Sequence, residues 1–271
     1  MTPYLLSRPC SYTELISPEF TRWTNEIKES VYDIKRKIWE FDFILDTLWQ
    51  AGMIQEGKSG IGFAVGQEPL SAVFVKNGCK ILATDLEIEQ AREKGWIDSH
   101  EHAAGLTLLN KKNICDNNLF QNQCRFRNVD MNQIPEDLRG FDFLWSSCAL
   151  EHLGSIKNGK NFIHNSLKCL KPRGIAVHTT EYNLTSNYFT FDTFPKTFKN
   201  CLFRKRDLED VAKKLDAEGH EIRLSFQLGN TPEDQYVDVP PYKMNPHIKL
   251  RIGSRFNPLV CTSYGIVIRK A

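Results

Sequence analysis

The stretch GIGFAVGQEPLSAVFVKNGCKILATDL, Gly60 to Leu86, decides the fold. Residues 60–65 read as a strand. Gly62, Gly66 and Glu68 fall at the turn that follows, and Pro69 stands where a helix can begin. Leu70 to Lys76 supply an apolar helix face, which Asn77-Gly78 stops. Lys80 to Thr84 form a short apolar strand that ends on Asp85. Strand, glycine turn, helix, strand and acid, in that order, build half of a nucleotide-binding α/β sheet. The glycines let backbone approach a ligand, and an acid after the second strand is placed to bind ribose hydroxyls. The spacing is not the GxGxxG of dinucleotide dehydrogenases, and it lacks the Gly-Lys-Ser/Thr of a phosphate loop.

Working outward, the same alternation continues. Strands are expected near 60–65, 80–84, 125–129, 141–146 and 174–180, and helices near 68–76, 87–94, 158–170 and 207–218. This pattern predicts a parallel sheet with helices on both faces. Two further strands are expected at His220–Leu228 and Cys261–Arg269, the second with Tyr264, Ile266 and Ile268 alternating. Between them, the prolines of DVPPYKMNPHIKL (Asp238–Leu250) predict a long loop able to carry binding work. Upstream, Ile27, Val31, Ile34, Ile38, Phe41, Leu45 and Leu48 recur at helical spacing. They predict one helix over Asn25–Gln50, stopped by Gly52.

A length of 271 residues with 41% hydrophobic content suits one well-cored domain with decorations. The net charge of +2 and the lack of basic clusters beyond groups such as Arg204-Lys205-Arg206 give no reason to expect nucleic acid. The eight cysteines form no CxxC pair, so they read as reduced thiols of a cytoplasmic protein, not as a disulfide or zinc framework. The opening MTPYLLSRPCSYTEL does not read as a signal peptide, and no apolar stretch approaches a membrane span.

Three more segments follow the opening stretch: FRNVDMNQIP (Phe126–Pro135), FDFLWSSCALEHLGSI (Phe141–Ile156) and LKCLKPRGIAVHTTEYN (Leu167–Asn183). With them, the chain resembles the class I S-adenosylmethionine-dependent methyltransferases, closely over Gly57 to Asn183 and more loosely elsewhere. The GFxVGxEPL segment, with RKxWE upstream and EHLGS downstream, is similar to a bacterial-type branch of that superfamily. The resemblance implies a Rossmann-like methyltransferase fold. It has a seven-stranded, mostly parallel sheet, an antiparallel terminal strand pair and helices on both faces. It also implies a helical cap over 1–55 that covers the cofactor cleft. The methyltransferase domain then spans 56–271, with a Pro-rich loop at about 230–258.

Carried over residue by residue, the resemblance puts Gly62 where an acid is usual, and Ala64, Gly66 and Glu68 at the three glycine positions. Glu68 is either a replacement carboxylate near the cofactor's sulfonium or ammonium, or an anion that favours the helix N-terminus. Asp85 is placed to accept from both ribose hydroxyls, or is a solvated loop acid. Asp130 is placed to accept from the adenine amino group with Met131 on the ring, or is a turn acid before Asn132. Ser146 and Ser147, with Cys148, follow the fourth strand and should lie beside the transferred methyl.

Glu151, His152 and Glu181 are candidate bases, with His178 near the last, for an acceptor that keeps its proton until attack. Glu151-His152 also has a structural reading. Cys148 stands where metal-binding members carry the first Glu of ExxEH, so no metal is expected. Arg36 or Lys37 could bind a carboxylate, and Trp39 reads as core or as pocket. The acceptor pocket is expected from the helix through Trp39, Glu181–Asn183 with Tyr182, and Asp238–His247 with Tyr242. His100, His102, His164 and His220 have no supporting pattern, and His247 reads as a loop histidine. The expected activity is O-methylation of a small molecule or glycan with S-adenosylmethionine. The alternative is a catalytically inactive binding or regulatory protein on the same fold. A nicotinamide-dependent oxidoreductase is disfavoured by the turn and the terminal strands.

Overall fold

A computed structural model of the chain describes residues 3–93, 102, 105–192 and 201–271. Among them, ten strands share one sheet: β1 Leu6–Pro9, β2 Ser59–Phe63, β3 Lys80–Asp85, β4 Cys124–Asn128, β5 Phe141–Ser147, β6 Leu170–Asn183, β7 Glu221–Leu224, β8 Val237–Asp238, β9 Lys249–Gly253 and β10 Pro258–Arg269. The order across the sheet is β1-β7-β10-β6-β5-β2-β3-β4, with β9 on β10 and β8 on β9. Strands β2 to β6 run parallel to one another. β10 is antiparallel to both β6 and β7. This is a Rossmann-like fold with the expected antiparallel ending. The chain moves from β2 outward to β3 and β4, then returns to add β5 on the other side of β2. Ligand crevices open at such a reversal, beyond the carboxyl ends of the strands.

The helices are α1 Tyr12–Leu15, α2 Pro18–Glu26, α3 Arg36–Gln50, α4 Leu70–Lys76, α5 Ile88–Glu93, α6 Asn117–Gln123, α7 Ile156–Ser166, α8 Lys205–Ala217 and α9 Pro232–Gln235. They cover both faces. One core holds Trp39, Phe43 and Phe74 against Phe143 and Trp145. The other holds Phe162, Ile163 and Leu208 against Phe63 and Tyr264. Residue 62 needs glycine for closeness: a Cβ there would stand 2.3 Å from the Trp145 ring.

The expected helix over Asn25–Gln50 is two helices. Ile27 ends α2, Lys28 takes a left-handed φ of 55°, and α3 starts only at Arg36. The intervening backbone pairs elsewhere instead: His247 N donates to Ile34 O at 2.7 Å, and Arg36 N donates to His247 O at 3.0 Å. α3 is held down by Ile38, Trp39, Phe43, Ile44, Leu45 and Leu48, all buried. Each such side chain contributes about 1.5–3 kcal/mol when removed from water. Phe43 lies so close to β10 that a Cβ on Gly265 would meet its ring at 2.2 Å.

The first 55 residues are not helical throughout, because β1 joins the sheet edge beside β7 and β10. The stretch expected as a loop at about 230–258 contains α9, β8 and β9, since β10 is long enough to pair a further strand. The strand expected at His220–Leu228 is only Glu221–Leu224. Among the described residues, no helix is long and apolar enough to cross a membrane.

Candidate functional site

A cleft of about 730 Å³ opens at the carboxyl ends of the parallel strands and is roofed by the start of α3 and the loop after β8. Its floor is the turn between β2 and α4. Ala64 and Gly66 both take left-handed φ angles, 49° and 50°. A non-glycine residue there costs roughly 1 kcal/mol or more, so the surroundings must hold it. Val65 N donates to Thr84 O at 3.1 Å, Thr84 Oγ1 donates to Gly62 O at 2.7 Å, and Gly66 N donates to Asp85 Oδ2 at 3.0 Å. Asp85 therefore braces the turn as well as lining the cleft. Its Oδ1 accepts from Leu86 N at 2.8 Å, and Val129 N donates to Asp85 O. That last bond brings Asp130 and Met131, just after β4, to the same wall. Asp130 Oδ1 accepts from Asn132 N at 2.8 Å, the turn geometry its alternative reading required, and Asp130 also lines the cleft.

Glu68 is buried at the base of the cleft and accepts from Trp145 Nε1 at 2.5 Å. Burial pushes its carboxyl up to about 8, with the charges of Asp85 and Glu40 adding and Trp145 and Lys37 opposing.

The roof is built on Glu40, which is fully buried. Arg36 Nη1 and Lys37 Nζ each lie 3.2 Å from its oxygens, one helical turn away. Ser263 Oγ, Cys148 Sγ and Ser147 Oγ also donate to it. Burial alone would raise this carboxyl, but Lys37 and Arg36 reverse that and hold it below its ordinary value. Arg36 Nη2 also donates to Glu181 Oε1 at 2.5 Å. One arginine thus ties α3 to β6 and β10.

The structure gathers most of the sequence-derived residues here. Ala64, Gly66, Glu68, Asp85, Asp130, Met131, Ser147, Glu151, His152 and Glu181 all line the cleft. Gly62 and Ser146 do not. Gly62 gives way to Trp145. Ser146 is fully buried with its Oγ 2.8 Å from His178 Nδ1. His178 packs on Phe162, and burial pulls its imidazole down to about 3. It is a neutral core histidine. Glu151 is buried, accepts from Thr180 Oγ1 at 3.0 Å, and is pushed up by burial and Glu181 against the opposing charge of His152.

Of the expected acceptor-pocket aromatics, Trp39 is core, stacked on Phe43 with Nε1 donating to Glu14. Tyr182 is buried against Phe226 and Tyr264. Tyr242 instead packs edge-on against His247, which with Met244 lines the cleft. His102 also lines it, its Nε2 2.8 Å from Leu86 O. His100 lies outside the described residues. Glu40 has no role in the sequence reading beyond its place in the RKxWE segment, although its i,i+3 and i,i+4 spacing from Lys37 and Arg36 is a signal.

The donor set suits an adenosyl sulfonium. Asp85 at the end of β3 and Asp130 just after β4 could accept from a diol and an amino group, Leu86, Val129 and Met131 line the same cleft with apolar side chains, and Glu68 offers a carboxyl beside the turn. Among the described residues, no group of three or more His, Cys, Asp or Glu side chains is arranged around a metal position.

No protein-family model matches the chain, and no curated protein matches it. Solved structures with a similar outline include a SAM-dependent methyltransferase from Methanosarcina mazei (13% identity, 81% of this chain and 95% of that one, TM-score 0.47). Another is magnesium protoporphyrin IX methyltransferase from Synechocystis with bound SAH (12% identity, 96% and 97%, TM-score 0.46). A third is an S-adenosylmethionine-dependent methyltransferase from Clostridium acetobutylicum (13% identity, 88% and 93%, TM-score 0.45).

Proposed function

We propose that this protein transfers a methyl group from S-adenosylmethionine to a hydroxyl of a small molecule or glycan. One observation carries the reading: a single cleft runs from the acidic ends of β3 and β4, past Glu68 and Ser147, to a roof made by α3 and the loop at Met244 and His247. It has room for a nucleoside at one end and an acceptor at the other. When bound, the sulfonium supplies an electrophilic methyl and a good leaving group. The residues of the chain then have to align the acceptor and exclude water. Asp85 would accept from the ribose hydroxyls, Met131 would pack on the base, and Glu68 would face the cationic end. Ser147 and Cys148, both small, would leave space beside the methyl, and the Arg36–Glu40–Glu181 network would keep the roof in place. All eight cysteines are unpaired, which supports a reducing, cytoplasmic setting.

The test is calorimetry with S-adenosylmethionine and with NAD, followed by mass spectrometry of a panel of phenols and sugars incubated with the protein and S-adenosylmethionine. Binding of the sulfonium cofactor and a product heavier by one methylene is expected. Binding of NAD alone would sink the reading. The rival, a binding or regulatory protein without catalysis, is favoured by one observation. Glu151 and Glu181 are already engaged, by Thr180 and by Arg36. Cofactor binding with no methylated product across the panel would support it.

A further inference from the structure

We propose that Asp238 and His247 form the proton-accepting dyad for the methyl acceptor; this rests on the methyltransferase reading. His247 lines the roof end of the cleft. Its Nδ1 lies 2.7 Å from Oδ2 of Asp238, whose side chain is wholly buried. Asp238 also accepts from Lys243 N at 2.9 Å and Met244 N at 3.0 Å. Burial would raise this carboxyl, but the bond from His247 and the two amides bring it to about 2, so it is ionised at neutral pH. An ionised carboxylate on Nδ1 selects the tautomer with the proton there and leaves the lone pair on Nε2. Among the described residues no group bonds to Nε2, which leaves it for the cleft.

The ring is also positioned. Backbone bonds from His247 N to Ile34 O and from Arg36 N to His247 O fix it to the start of α3, and Tyr242 meets it edge-on with centroids 5.4 Å apart. The guanidinium of Arg36 reaches Glu181 and lies 3.5 Å from Cys148 Sγ, so this end of the roof adjoins the end of β5. Two of the other cleft carboxyls are already engaged: Glu181 pairs with Arg36, and Glu151 accepts from Thr180.

In the step, the acceptor oxygen forms its bond to the methyl carbon while its proton passes to His247 Nε2. The carbon–sulfur pair stays on sulfur, which leaves as a neutral thioether. One cation, the sulfonium, is replaced by another, an imidazolium that Asp238 stabilises through Nδ1–H. An acceptor that keeps its proton at neutral pH, a hydroxyl, is the class that needs this.

The test has two parts. Imidazole 15N spectra of the protein without any ligand, with His247 assigned by its loss in His247→Gln, should show the Nδ1-protonated tautomer. Asp238→Asn should shift that signal toward the Nε2-protonated form. Methylation is then compared with phenol and thiophenol as paired probes near pH 8, where the thiol is already largely thiolate and needs no base. His247→Gln, which keeps both backbone bonds, should slow phenol methylation about a hundredfold or more. Thiophenol methylation and S-adenosylmethionine affinity should stay within a few-fold. An Nε2-protonated ring in the unmodified protein, or equal losses on both probes, overturns the dyad. Loss of cofactor binding by the unmodified protein would instead overturn the methyltransferase reading.

Discussion

The indole Nε1 of Trp145 donates to Oε1 of Glu68 at 2.5 Å, joining the centre of β5 to the turn after β2 beneath the cleft. A buried carboxyl thus stands where the resemblance would place a glycine. Its titration gives the first prediction. A raised folded value means that the fold favours the protonated form. The associated stability is complete below the ordinary value of 4.5 and is lost as pH rises through about 8. Chemical denaturation across that window should show stability falling with pH in the native chain, and Glu68→Gln should flatten the fall. Parallel slopes for the two proteins would show that Glu68 does not titrate in this range.

The same titration should govern cofactor choice. Once Glu68 ionises, it attracts a cation. If it faces the sulfonium, affinity for S-adenosylmethionine should rise through about pH 8 relative to Glu68→Gln, and affinity for S-adenosylhomocysteine should not. A rise for both ligands would place the ammonium there instead. No difference from Glu68→Gln with either ligand would remove Glu68 from the site.

Asp85→Ala should weaken S-adenosylmethionine binding by about 2–3 kcal/mol, the scale for losing a charge-assisted partner. Asp85 also accepts from Gly66 N, so part of the loss passes through the turn. Asp85→Asn retains one acceptor oxygen and should fall between the two. An unchanged dissociation constant in Asp85→Ala would show that this acid does not meet the ribose.

Arg36 neutralises Glu40 and Glu181, both buried. Arg36→Met should leave Glu181 without its paired cation and Glu40 with Lys37 alone, and destabilise the fold by on the order of 3–5 kcal/mol, read by urea denaturation. A loss below about 1 kcal/mol would mean that Lys37 and the hydroxyls already satisfy Glu40.

Activity should survive chelation. Cys148 holds the place of a ligand carboxylate. Burial, with the charges of Glu151 and Glu40, pushes its thiol up, so it stays protonated and donates to Glu40. A metal ion there would have to displace that proton and break the bond to Glu40. Turnover that disappears with EDTA and returns with magnesium would contradict this.

The sequence by itself determined the parallel strands of the sheet and the floor of the cleft. These features are local. The alternation of strands and helices, the turn at Gly66 and the acids at the end of β3 and just after β4 lie within a few residues of the elements that place them. Their spacing therefore carries the information. Tertiary structure alone decided which polar groups face the cleft. Gly62 and Ser146 sit at apparently suitable strand positions, yet one admits Trp145 and the other turns to His178 in the core. The break before α3 is invisible in the apolar periodicity. It exists because backbone near Ile34 and Arg36 pairs with His247, more than two hundred residues away in the chain. Glu40 stands in the RKxWE segment and Asp238 opens the expected Pro-rich loop, and neither position shows in the sequence that its carboxyl is wholly buried. Whether a carboxylate is a solvated charge or the buried centre of a network depends on partners from other strands and helices, and that is fixed only when the chain closes on itself.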